Sequence, residues 1–346
     1  SWFDPYAQTA ATNYVGLKAA GRGPQRLILG PWTHGDRSLA RFGDVEFGPN
    51  ATLDSWAGDW MQYRLRHFDA VIHGHANNEP AVRVFVMGGG SGKRDATGYL
   101  LHGGRWLGLA DWPPPAMVPT QWYLHGDGAL SADMPSKKAA PVAYDFDPAH
   151  PVPTIGGNFS SLDPVAYAGS WNQVEAPGFF GCTAPFLPLS SRADVLAFQS
   201  APLAEPVQIA GPIEVTLWVS TNGPDTDFTA KLIDVHPPSA DYPQGYAMLL
   251  TDSIIRLRYV EDPTQEIFRQ PGEMVKAVLT LPPVANLFTP GHRIRLDVSS
   301  SNFPKFDVNP NTGEPEGYAR RRRVAVNSVY VDANWPSHVL LPILPL

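Results

Sequence analysis

The sequence predicts a mainly β chain, in which a short strand–helix–strand unit of α/β type precedes a long antiparallel sandwich of jelly-roll form. Three observations predict it. From about residue 116 to the end, short apolar runs alternate at strand period, as in 207–221 and 291–300, without helical spacing between them. Proline is frequent, at 36 residues, and so is glycine, at 31, which fits many turns between short strands. Upstream, by contrast, a stretch with helical spacing leads into the aliphatic run Leu27-Ile28-Leu29, which ends at Gly30-Pro31.

The elements follow in order. Ser1-Trp2-Phe3-Asp4-Pro5-Tyr6 puts a carboxylate directly after two aromatics, at what reads as a strand end. Ala7, Ala10, Ala11, Tyr14, Val15 and Leu17 then stand near helical spacing, and Gly21, Gly23 and Pro24 close that helix. Leu27 to Leu29 read as a buried parallel strand, stopped because Pro31 cannot donate to a sheet ladder. Residues 36–50 read as an irregular loop. A single helix is expected from Thr52 to about Ile72, with Trp56, Trp60, Tyr63, Leu65, Phe68, Val71 and Ile72 as an apolar stripe packed on the sheet. Residues 82–87 alternate as a strand, and residues 99–112 suggest a small hairpin around Gly103-Gly104. Pro113-Pro114-Pro115 is stiff and unsuited to a central strand, so it divides the chain into residues 1–112 and 113–346. In the second part, strands are expected over 121–125, 142–146, 207–221, 227–235, 248–259, 273–281, 291–300, 324–331 and 338–343. The connections 147–185 and 301–323 are longer than ordinary loops, which points to a task for at least one of them.

The chemistry concentrates in the first part. His34 follows a strand's carboxyl end, where open α/β sheets place their ligands. Asp4 stands at the preceding strand end, one helix and one strand earlier, so adjacent parallel strands bring both to the same sheet edge. An aspartate that accepts from one ring nitrogen of His34 fixes its tautomer and stabilises the imidazolium. The other nitrogen is then free to take a proton from a nucleophile. The order acid then base is that of the last two members of a Ser-Asp-His triad in α/β-hydrolases.

Here the sequence resembles the CocE/NonD family of serine hydrolases, which includes cocaine esterase-like enzymes, α-amino-acid ester hydrolases, glutaryl-7-aminocephalosporanic acid acylase-like proteins and X-Pro dipeptidyl peptidases. WFDPY at 2–6 and LILGPWTHG at 27–35 carry most of the likeness. FGP at 47–49, FDAVIHG at 68–74, VRVFVMGGG at 82–90 and DWPPP at 111–115 add to it, as do FTAKLIDVHP at 228–237 and IIRLRY at 254–259. PGHRIRLDVSSSNFPKFDVNPNTG at 290–313 and PSHVLLPILP at 336–345 complete it, in family order. The resemblance implies that residues 1–112 are the C-terminal remnant of an α/β-hydrolase domain and that 113–346 are a jelly-roll β-sandwich. It implies Asp4 as the orienting acid and His34 as the general base. It also places Trp2, Trp32, Phe303 and Phe306 as candidate substrate-binding aromatics, with core packing as the rival reading for the two phenylalanines.

The nucleophile is not in view. No serine has glycine at both −2 and +2; around Ser91, Lys93 takes the second glycine's place. The expected partner is therefore a missing N-terminal hydrolase half, on the same or a separate chain, which carries the serine and the oxyanion donors. The expected substrate is a small ester or amide, such as an acyl ester, a β-lactam side-chain acyl group or an X-Pro peptide. The rival is a non-catalytic β-sandwich binding or scaffold module with a vestigial hydrolase remnant. No cofactor is called for. His67, His73 and His75 lack the spacing that puts two ligands on one helix face, and no cysteine lies near, so no metal is expected there. Asp225, Asp227, Asp234 and Asp241 fit no calcium-loop template and read as turn residues and strand-edge charges. A net charge of −7 argues against a nucleic-acid partner, and the Arg320–Arg323 run reads as a solvated loop or a seam to the hydrolase domain. No apolar run has membrane-spanning length, so no membrane partner is expected. Cys182 is the only cysteine, which rules out an internal disulfide and leaves the compartment open between cytoplasmic and periplasmic or secreted. Homo-oligomerisation is left open.

Overall fold

In the computed structural model, which describes residues 1–35, 37–135, 138–160 and 165–346, strands dominate. Strands of three residues or more are numbered here. Leu27–Leu29 (β1) pairs in parallel with Val82–Gly88 (β2), Leu27 opposite Val82, and Gly104–Leu109 (β3) returns antiparallel to β2. Both faces of β2 are covered, which is why it reads VRVFVM rather than strictly alternating, and Val84 and Phe85 are fully buried. Burying each such side chain contributes about 1.5–3 kcal/mol.

The second part supplies Val118–Leu124 (β4), Val142–Phe146 (β5), Leu196–Gln199 (β6), Val207–Thr221 (β7) and Asp227–His236 (β8). Tyr246–Arg256 (β9), Val275–Phe288 (β10), Arg293–Ser299 (β11), Ala325–Tyr330 (β12) and His338–Ile343 (β13) follow. One large sheet runs β1-β2-β10-β7-β13-β4, with β12 and β5 branching from β7. The facing sheet is β6-β11-β8-β9, antiparallel throughout. Together they form the β-sandwich. Register slips in β7 between Gly211 and Ile213, where Pro212 cannot donate to the ladder. The large sheet crosses the Pro113–Pro115 run, because Met87 and Gly88 of β2 pair with Asn286 and Leu287 of β10. Gly88 is required there, since a Cβ on it would meet the Leu287 carbonyl oxygen at 2.4 Å. One apolar core joins Trp2, Leu29 and Phe85 to Ile213, Leu281 and Leu296, and a smaller one under 147–195 holds Val152, Ile155 and Phe179.

Several expectations change. The 52–72 helix is two pieces, Asp54–Ala57 and Trp60–His73. Gly58 adopts φ 66, and Asp59 caps the second piece by accepting from the Met61 and Gln62 amides. Only the first part of its stripe packs as expected: Trp56 and Trp60 lie against the core, Trp56 on Trp106 of β3, and Tyr63 is buried, whereas Leu65, Phe68, Val71 and Ile72 are exposed. No hairpin forms within 99–112; residues 104–109 pair back on β2, while Leu100–Leu101 joins a small ribbon made by Arg41–Phe42 and Val45–Glu46. The 36–50 stretch is therefore partly ordered as strand where it is described. Strand β6 was not anticipated, because LAFQ is too short to show a period. Among the described residues, no helix is long and apolar enough to cross a membrane.

Candidate active site

The first residues form a turn pinned to the end of β1. The Trp2 amide donates to the Gly30 carbonyl at 2.7 Å and the Phe3 amide to that of Trp32 at 3.1 Å. Helix Ala7–Ala19 (α1) follows at once, with the Ala7 amide donating to the Asp4 carbonyl. Gly30 is needed because a Cβ there would lie 2.6 Å from the Trp32 ring. This packing brings Asp4 and His34 together. Nδ1 of His34 lies 3.1 Å from Oδ2 of Asp4, and Oδ1 of Asp4 accepts from the Tyr6 amide at 2.8 Å. The carboxylate is thus held from both sides, which orients it toward the ring. The Tyr6 ring stands 5.4 Å from the imidazole, centroid to centroid. The Asp4 side chain is 14% exposed and that of His34 is 52% exposed, so the pair opens to the surface on the histidine side. Nε2 of His34 has no hydrogen-bond partner among the described residues. An Nδ1–H donated to a carboxylate leaves the lone pair on Nε2, the arrangement a general base needs.

The candidate substrate-binding aromatics go elsewhere. Trp2 and Trp32 are each 1% exposed, and their indole N–H groups donate to the carbonyls of Phe85 and Ala51. Their surfaces are taken up by the core, so the structure corrects their role from substrate contact to packing that supports Asp4 and His34. Phe303 is half-buried and meets Phe180 edge-on at 5.6 Å. It lines a cavity of about 990 Å³ with His150, Arg192 and Arg320 to Arg322, and neither Asp4 nor His34 lines it. Phe306 is also half-buried, with Nζ of Lys305 5.1 Å from its ring centroid. The cavity draws on both long connections, which pair at Pro153 and Phe303. Arg320 to Arg323 are exposed, as a solvated loop requires.

The acidic group needs a larger correction. Asp225, Asp227 and Asp234 are buried rather than strand-edge charges. Asp225 pairs with Arg258, Asp227 with Arg256, and Asp234 with His292. His73 and His75 are exposed, and the imidazoles that converge are others: His102, His236 and His292. Burial pushes the His236 imidazole down to about 3 and lowers that of His102 as well, so both rings are neutral near pH 7. Sequence spacing could not reveal a cluster whose members come from three distant segments.

Comparison with known proteins agrees with this architecture. Residues 74–340 match the family described as the X-Pro dipeptidyl-peptidase C-terminal non-catalytic domain. The chain is 33% identical to a cocaine esterase from Rhodococcus sp. strain MB1 Bresler, over 99% of this chain and 55% of that protein. Among solved structures, an aminopeptidase from a marine sediment archaeon, Thaumarchaeota archaeon, superposes with a TM-score of 0.77 at 27% identity, covering 99% of this chain and 54% of that one. An α-amino acid ester hydrolase superposes with a TM-score of 0.75 at 27% identity, covering 97% and 53%. The chain spans about half the length of the curated relatives it matches, between 45% and 55%. Asp4 and His34 both precede the matched non-catalytic domain. With strand order, motifs and relatives in accord, the chain belongs to the CocE/NonD family of hydrolases, and residues 74–340 are its X-Pro dipeptidyl-peptidase C-terminal non-catalytic domain.

Proposed function

We propose that this chain supplies the acid and the base of a serine-hydrolase triad, and that the nucleophile and oxyanion donors lie on polypeptide preceding residue 1. The observation that carries the reading is the contact between His34 Nδ1 and Asp4 Oδ2 at 3.1 Å, at the carboxyl end of β1 and open to the surface. A second feature supports it. β1 ends the large sheet, with no strand on its other side among the described residues, and the Trp2 and Phe3 amides donate to the Gly30 and Trp32 carbonyls just past it, so a further strand from preceding chain could pair there. In this reading residues 1–112, of which 74–112 already fall within the matched non-catalytic region, complete an α/β-hydrolase domain and 113–346 form the jelly roll.

The chemistry follows from the geometry. Nε2 of His34 takes the serine proton as Oγ attacks the substrate carbonyl, and Asp4 stabilises the imidazolium. The proton then passes to the leaving group as its bond to the acyl carbon breaks. Water, deprotonated by the same nitrogen, releases the acid and restores the serine. General acid–base assistance of this kind contributes about 10²–10⁴ in rate. The names of the relatives favour a carboxylic ester as substrate class. This chemistry requires no cofactor.

A second reading, a non-catalytic module, draws on the description of the family matched over 74–340. One experiment separates the two. The chain is assayed with a nitrophenyl acyl ester alone and joined to its upstream polypeptide. The triad reading expects turnover only in the joined form, with His34→Ala removing most of it. Turnover by the chain alone that survives His34→Ala would overturn it, as would full activity of the joined His34→Ala variant.

A further inference from the structure

Asp234 and His236 stand two residues apart on β8, so both side chains face the same side of the strand. Three other side chains converge there. His102 follows Leu100–Leu101, Asn286 lies on β10 of the opposite sheet, and His292 precedes β11. All five residues are at most 9% exposed.

His236 does not fit a purely structural cluster. It is 5% exposed, yet among the described residues neither Nδ1 nor Nε2 has a hydrogen-bond partner. A neutral imidazole carries one donor and one acceptor, and a buried polar group left without a partner is destabilising. Its neighbours do not relieve it. Oδ2 of Asp234 is 3.9 Å from His236 Nε2, beyond hydrogen-bond range. That carboxylate is already engaged: Oδ1 accepts from His292 Nδ1 at 2.7 Å, and Oδ2 from Asn286 Nδ2 at 3.0 Å. Oδ1 of Asn286 in turn lies 3.0 Å from His102 Nε2. The His236 ring is 5.3 Å from that of His102 and 4.2 Å from that of His292. One potential ligand atom from each of His102, Asp234 and His236 lies within 4.8 Å of the others.

We propose that His102, Asp234 and His236 bind a divalent transition-metal ion of the zinc type, with His292 and Asn286 orienting the carboxylate. Two imidazoles and a carboxylate are a ligand set suited to zinc and its first-row neighbours. Around a tetrahedral ion with bonds of about 2.0–2.2 Å, ligand atoms stand about 3.3–3.6 Å apart. The 3.9 Å between Asp234 Oδ2 and His236 Nε2 needs only a small contraction to reach that. The hydrogen bonds from His292 and Asn286 match the outer partners that steady ligating carboxylates. Three protein donors leave the fourth position to water. The ion gives His236 the partner it lacks, and it ties the segment around His102 to β8 of the sandwich. The site shares no residue with the proposed triad.

The test uses the intact protein, prepared without a polyhistidine tag and stripped with a chelator. It is titrated with Co²⁺ as a spectroscopic probe, and with Zn²⁺ while the melting temperature is followed. The expected result is one bound equivalent, ligand-field bands of nitrogen and oxygen coordination, and a higher Tm with Zn²⁺. His236→Gln and His102→Gln should each weaken binding about a hundredfold or more, while His73→Gln leaves it unchanged. Should those variants fail to fold, anomalous scattering from a zinc-soaked crystal of the wild-type protein locates the ion directly. Absence of saturable binding by the folded protein, binding indifferent to both variants, or a water in place of the ion would overturn the proposal.

Discussion

Asp225 and Arg258, in the connections flanking β8 and β9, form a buried ion pair at 2.8 Å, with side chains 0% and 1% exposed. The Arg258 amide also donates to Asp225, and Nη1 reaches Glu266 at 2.7 Å. Asn309, from the 301–323 connection, donates to Asp225 and to Asp227 at 2.7 Å each. Arg258→Met should therefore destabilise the fold by about 3–5 kcal/mol, because it leaves a buried carboxylate without its counter-charge. The paired change Asp225→Leu with Arg258→Met should cost clearly less than Arg258→Met alone. Urea unfolding of the variants measures this. Equal losses in both would mean that packing, not the orphaned charge, sets the cost.

This network shows which parts of the fold were legible in the sequence. The alternation of 207–221 and the aliphatic run at 27–29 follow from one-dimensional period, and both strands are present. The Asp4–His34 contact was legible because one strand–helix–strand unit has a fixed outcome in space. The break at Gly58 was missed, since the apolar stripe continued across it while the backbone did not. The buried ion pairs were missed for a different reason. Asp225, Arg258 and Asn309 come from separate segments, and nothing local marks an aspartate as buried. His102, His236 and His292 were invisible on the same ground, although Asp-x-His on a strand is the one local trace of that cluster.

Asp44 gives the fold a dependence on pH. Its carboxyl accepts from the Tyr246 hydroxyl, which ties the Val45–Glu46 ribbon to β9. Burial pushes the carboxyl up to about 6, above its ordinary value of 3.8. The folded state therefore favours the protonated form. That stability is complete below about pH 4 and is lost as the pH rises through the folded value of about 6. Asp44→Asn should flatten this part of the stability profile. Urea midpoints at about pH 4 and about pH 7 for both proteins measure it. An unchanged difference between the two pH values in the variant would show that Asp44 is not the titrating group.

The role of Asp4 can be separated from a merely supporting one. Its Oδ2 meets His34 Nδ1 and its Oδ1 holds the Tyr6 amide, so Asp4→Asn keeps the size and one acceptor of the side chain. What changes is charge and proton inventory. If the asparagine NH₂ faces Nδ1, it forces the proton onto Nε2, and His34 can no longer accept one from the nucleophile. If the amide oxygen faces Nδ1, the tautomer survives but the imidazolium loses its counter-charge. Either way the loss falls on the transition state rather than on substrate binding. In the protein joined to its upstream polypeptide, kcat should drop by about 10³–10⁴, with KM changed far less. The melting temperature should move little, because Asp4 lies at the rim of the core and its ring partner is half exposed. The ester assay at several pH values adds a second readout. In the variant with the wrong tautomer, activity should recover partly at high pH, where hydroxide can replace the base. A kcat loss under about tenfold, or a loss matched by a large fall in Tm, would place Asp4 in the scaffold and not in the triad.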